Sequence, residues 1–118
     1  MDGSGNVFVA DPGNNRVQKF DGNGAFLAKW GSSGSGDGQF QQPIGLAVDR
    51  SGSVFVTDSV NARVQKFTNE GAFLGTVGCP GVVDGGFGFA YGIALDSASG
   101  RLVVSDITLN RIQTFACL

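Results

Sequence analysis

Short apolar segments alternate with turns rich in Gly, Asp and Asn along the whole chain. In RVQKF (63–67), Val64 and Phe67 are apolar while Gln65 and Lys66 lie between them, which reads as a strand with one covered face. VFVTD (54–58) and AFLGTVG (72–78) read as strands on either side of it. IGLAV (44–48) is apolar throughout, so it is predicted to be an inner strand buried on both faces. The turns between them are DRSG (49–52), DSVNA (58–62) and TNEG (68–71), with Gly or Asn where the chain must reverse.

This four-strand unit recurs. Residues 5–31 align with residues 52–78 without a gap at an offset of 47, so that Asp11 matches Asp58, Arg16 matches Arg63 and Phe20 matches Phe67. A third copy follows: YGIALD (91–96) matches IGLAVD (44–49), and GRLVVSD (100–106) and NRIQTF (110–115) match at 48. The extra residue falls in the turn SASG (97–100), where an insertion disturbs no strand. Four strands in a repeat of this length predict the blades of an all-β propeller. Blade 1 (2–31) holds the second to fourth strands, blade 2 (44–78) is complete, and blade 3 (91–116) holds the first three. One domain is expected for the whole of 1–118.

From Pro43 to Phe67 the pattern P-x-G-(I/L)-A-(V/L)-D-x-x-G-x-(V/L)-(Y/F)-V-x-D-x-x-N-x-R-(V/I)-Q-x-F resembles the NHL repeat, with Ile44 at its variable position. The resemblance implies a propeller, usually of six blades, each a four-stranded antiparallel sheet. It implies no single function, because RNA-binding, protein-binding, sensor and lyase members share it. Three blades are half of such a ring, and an open half-ring leaves apolar blade faces and strand edges uncovered. A homodimer closing a six-bladed ring is therefore expected, with a fragment of a longer propeller chain as the alternative.

Composition narrows the chemistry. The 118 residues include no His, which removes Ser-His-Asp and Cys-His catalysis and His-containing zinc sites from this chain. The net charge of −2 argues against strong nucleic-acid binding. No apolar run is long enough to span a membrane, and MDGSGNVFVAD does not read as a secretory signal, which leaves the localisation unknown. Cys79 and Cys117 show no C-x-x-C spacing and read as two free thiols. Asp2-Gly-Ser-Gly, Asp21-Gly-Asn-Gly and Asp37-Gly read as turns rather than calcium loops, because no Glu stands at the bidentate position. The Gly-rich 31–38 segment lacks the G-K-[ST] of a phosphate loop. No cofactor and no metal are expected.

The recurring polar residues cluster at one end of the blades. Asp11, Asp58 and Asp106 close the second strands, and Arg16, Arg63 and Arg111 open the third strands five residues later. Their recurrence favours structural ion pairs across the hairpins over a ring of reactive charges. Asn14, Asn15, Asn61 and Asn110 occupy the same turns. The connectors 31–43 and 78–90 emerge on that face, carrying Phe40 and Phe87 as plugs between blades and Gln39, Gln41 and Gln42 as exposed polar residues. A possible ligand face therefore comprises Asn15, Arg16, Gln39, Gln41, Asn61, Arg63, Asn110 and Arg111. Lys19, Lys29, Lys66, Arg50 and Arg101 read as solvated charges. The function expected from these features is a non-enzymatic scaffold that takes a protein or small-molecule ligand. An RNA-binding face is the alternative, weakened because each Arg is neutralised by its Asp.

Overall fold

In the computed structural model, which describes residues 2–61, 63–76, 90–96, 101–106 and 111–115, the chain is all-β and built of antiparallel sheets. Blade 1 is a sheet of β1 (Val7–Asp11), β2 (Arg16–Phe20) and β3 (Phe26–Trp30), in that order. Blade 2 orders β4 (Pro43–Val48), β5 (Val54–Asp58), β6 (Arg63–Phe67) and β7 (Phe73–Thr76). Blade 3 pairs β8 (Ala90–Asp96), β9 (Arg101–Asp106) and β10 (Arg111–Phe115) with β9 in the middle. Cys79, Cys117, Phe87 and Asn110 lie outside the described residues.

The repeat is preserved in register as well as in sequence. Asp11 pairs with Arg16, Asp58 with Arg63 and Asp106 with Arg111 across the three hairpins. The pairing slips between Lys19 and Phe20 in blade 1 and between Lys66 and Phe67 in blade 2, the same step 47 residues apart. A bulge of this kind strengthens the twist of the outer strands. A second slip lies between Pro43 and Leu46 and recurs between Ala90 and Ile93. The Thr57 hydroxyl closes the first of these, accepting from Gly45 N at 2.7 Å and donating to Gly45 O at 3.2 Å. Ser105 accepts from Gly92 N at 2.8 Å in blade 3. Blade 1 has Ala10 at the matching position and no such hydroxyl.

The main buried cluster lies between blades 1 and 2, and Phe55, Val64 and Val104 are buried outside it. Phe8 and Val17 face Val54, Val56 and Phe67, all buried, with Trp30 and Phe73 packed around them. Burying a side chain of this size contributes about 1.5–3 kcal/mol. Phe40 enters from the connector, fully buried, with its ring centroid 5.5 Å from that of Phe67. It lies against the bare Cα of Gly31, where a Cβ would stand 2.7 Å from the Phe40 ring, and Gly31 also has φ of +108°. Only Gly fits both demands.

Two expectations about burial are corrected. The inner strand β4 is only half-buried beyond Pro43, whereas every residue of β5 is buried. β5 lies between β4 and β6 in its sheet, with Val54 and Val56 packed into the cluster shared with blade 1 and β8 of blade 3 close by, whereas β4 is paired along one edge only among the described strands. Lys19 is not solvated: it is 8% exposed, its ammonium reaches Asn69 of the next blade, and it lies 5.6 Å from the centroid of the Phe8 ring. Its stem packs against apolar surface while the charge finds a partner at the rim.

Candidate functional site: a connector clamp

The β5–β6 hairpin grips the connector that precedes its own blade. Asp58 is fully buried, and its Oδ2 accepts from Arg63 Nε at 2.9 Å and from Asn61 Nδ2 at 2.9 Å. Its Oδ1 accepts from the backbone N–H of Gln41 at 2.7 Å. With Nε held this way, the rest of the guanidinium faces the connector. Arg63 Nη1 donates to Ser35 O at 2.9 Å, and Nη2 donates to Gly36 O at 2.8 Å and Gln39 O at 2.7 Å. The second proton of the Asn61 amide goes to Gly34 O at 2.9 Å. Gln65, also fully buried, donates to Gln39 O at 2.7 Å and accepts from Gly38 N at 2.9 Å.

One Asp, one Asn, one Arg and one Gln thus satisfy the backbone of a Gly-rich segment that forms no sheet of its own. A cation bonded to several carbonyls and to a buried carboxylate is a strong arrangement once assembled. Removing one partner leaves the others buried and unsatisfied.

The residues expected to face a ligand are accordingly placed as follows. Arg63 and Asn61 are turned onto the connector. Gln39 and Gln41 are half-buried rather than exposed, and the Gln39 side chain accepts from Gly36 N at 2.9 Å. Asn15, at φ +52°, accepts from Gln42 N at 2.9 Å and so ties blade 1 to the end of the connector. Arg16 pairs with Asp11 at 3.0 Å. Arg111 and Asp106 are partners in backbone register, and their side chains lie outside the described ones. The sequence reading missed Gln65, whose recurrence as Gln18 and Gln113 beside each Arg was the available signal.

Electrostatics differ along this face. Hydrogen bonds from Asn14 and Arg16 hold the Asp11 carboxyl below the usual carboxylate range. At the opposite end of the blades lies a polar cavity of about 430 Å³, lined in part by Asp2, Lys19, Arg50 and Glu70, whose charges balance. Burial pushes Asp2 up, but hydrogen bonds from Asn6, Asn69 and Ser4 outweigh it and hold its carboxyl low. Among the described residues no group of three or more His, Cys, Asp or Glu stands together as metal ligands.

Residues 40–67, which span the Phe40 plug and the whole clamp hairpin, match the NHL repeat family. No curated protein matches the chain. Solved structures match its fold. Virginiamycin B lyase from Staphylococcus aureus, in a catalytically inactive form with quinupristin, is 15% identical with a TM-score of 0.66, over 98% of this chain and 39% of that one. A gluconolactonase from Xanthomonas campestris is 24% identical with a TM-score of 0.59, over 86% of this chain and 31% of that one. A protein of unknown function from Bacteroides thetaiotaomicron is 18% identical with a TM-score of 0.73, over 94% of this chain and 32% of that one. The chain thus spans about a third of the length of these proteins. Identities this low speak to fold alone.

They nonetheless correct one expectation. The lack of His led to a reading of the chain as a non-enzyme, yet two proteins sharing this fold are named as a lyase and a lactonase. Missing His limits only the chemistry of the 118 residues present. A chain that spans a third of such a protein holds only part of the side chains that would form a site.

Proposed function

We propose that this chain is a ring-forming segment of a β-propeller, and that two copies close a six-bladed ring. The composite connector face of that ring takes a protein or small-molecule ligand. The carrying observation is the difference between two equivalent blade faces. Val54 and Val56 are fully buried against blade 1, whereas their counterparts Val7 and Val9 are 36% and 44% exposed, and Phe26 is 55% exposed. Leu27 and Leu74 are exposed in both blades, so the difference is specific to the face that would meet another blade. An uncovered apolar face beside a strand edge that no described strand pairs with is a surface that seeks a partner. The alternative, a stretch of a longer propeller chain, is supported by the fraction of each solved structure that the chain covers. An RNA-binding face finds less support, since Arg63 is held by Asp58 and connector carbonyls.

Light scattering across a concentration series tests closure. A mass of about 24 kDa, twice 12.1 kDa, is expected, and Val9→Asp should shift it to the single-chain value. One species of 12.1 kDa at every concentration would overturn closure by a second copy.

A further inference from the structure

Blade 1 carries the same clamp residues as blade 2, but no described connector reaches them. At an offset of 47, Asp58, Asn61, Arg63 and Gln65 become Asp11, Asn14, Arg16 and Gln18. Asp11 Oδ2 accepts from Arg16 Nε at 3.0 Å and from Asn14 Nδ2 at 2.9 Å, reproducing the base of the blade 2 clamp. The outward groups remain within the hairpin. With its amide oxygen turned toward the guanidinium, Gln18 accepts from Arg16 Nη2 at 2.7 Å, whereas Gln65 reaches the connector instead. The floor for the aromatic anchor is also formed. Phe20 and Phe26 meet at 6.0 Å and 74°, matching Phe67 and Phe73 at 5.9 Å and 73°. Beside them β1 is an edge strand, and Val7 and Val9 are exposed.

We infer that this surface is a docking site for one kind of occupant, an extended peptide with the chemistry of residues 31–48. Such a peptide has a Gly-rich turn that offers carbonyls, a Gln-Phe anchor and an apolar strand. The argument is internal to the molecule, because that segment is seated on the same residue types one blade further on. Arg16 Nη1 and Nη2 and the second Asn14 proton bind the turn carbonyls. Asp11 Oδ1 accepts the N–H that follows the Phe, and the Phe enters over Phe20. The strand adds antiparallel to β1 by β-augmentation. Ala10 supplies no hydroxyl for the strand bulge, so the connector half contributes most of the binding. The inference rests on reading the chain as propeller blades but not on how many copies close the ring.

A fluorescently labelled peptide of residues 31–48 titrated into the full chain, read by anisotropy, tests it. Saturable binding is expected. Arg16→Ala should weaken it about tenfold or more, about 1.4 kcal/mol per decade, through loss of charge-assisted bonds to carbonyls. A peptide carrying Phe40→Ala should weaken it similarly and leaves the protein untouched. Ala10→Thr should tighten it roughly threefold by restoring the clasp seen at Thr57. Absence of saturation at about 100 μM peptide, or binding indifferent to both Arg16→Ala and the Phe40→Ala peptide, overturns the inference. The mass measured in parallel separates the two ideas. Specific binding by a 12.1 kDa chain upholds the site while closure by a second copy fails, and a dimer without binding does the reverse.

Discussion

The hairpins 11–16 and 58–63 share their Asp, an Asn and their Arg and make the same ion pair, at 3.0 Å and 2.9 Å, in settings that differ. In blade 1 the Asp and Arg side chains are 25% and 32% exposed, and in blade 2 they are 0% and 17% exposed. What separates them is the connector. Where it crosses the hairpin, Arg63 gains three carbonyl partners and Asp58 gains a backbone N–H. The motif is therefore a receptor for backbone whose energetic weight is set by what it holds. An isolated surface pair contributes little, whereas a buried pair with satisfied neighbours is costly to break.

The sharpest break of the comparison is Asp58→Ala against Asp11→Ala. The first leaves Arg63, Asn61 and Gln41 N without their common acceptor in a closed site. A loss of about 3–5 kcal/mol of folding stability is expected, measured by urea unfolding. The second removes the acceptor from groups that water reaches, so a small fraction of that loss is expected. Equal losses would mean that the connector adds nothing to the pair.

A second contrast lies in the turns between the last two strands of each blade. Gly24 and Gly71 are equivalent, with φ of +85° and +96°. A Cβ at Gly24 meets nothing within 4 Å, whereas at Gly71 it would stand 2.5 Å from Cδ2 of the Trp30 ring. Gly24→Ala is expected to cost about 1–2 kcal/mol from the left-handed backbone alone. Gly71→Ala adds overpacking of about 1–3 kcal/mol, because Trp30 is wedged between Phe8 and Phe67. Thermal unfolding of the two variants reads the difference directly.

Much of the frame was legible in the sequence, and these pairs of sites show why. The offset of 47 fixes which residues share a role, and the strand bounds and the Asp–Arg register follow from local pattern. The clamp was not legible, because its ligands are backbone carbonyls. Every residue has one, and no letter marks which are presented. Asn61 therefore read as a turn former and Arg63 as half of an ion pair, while both also hold residues 34–39. Lys19 read as solvated because its cover comes from Asn69, 50 residues away. The buried β5 and half-buried β4 likewise depend on how the neighbouring blades and strands cover each of them, which no local pattern states.

The smallest contrast is acid sensitivity within blade 1. The Asp11 carboxyl is held below its ordinary value of 3.8 by hydrogen bonds from Asn14 and Arg16. A folded-state value below the unfolded one means that the native state favours the ionised form. The resulting stabilisation is present above about pH 4 and is lost as pH falls through the folded value. Asp11→Asn removes this contribution, so its melting temperature should fall less steeply than that of the unmodified chain between about pH 4 and pH 2. The gap between the two curves should shrink in about 1 M salt, since these groups are reached by solvent and screened. Adding the peptide of residues 31–48 should widen it again, because the docked connector covers the carboxylate and donates a further N–H to it. Parallel acid limbs with and without Asp11 would show that the bare hairpin has no electrostatic weight of its own. The clamp would then acquire all of its strength from the segment it holds.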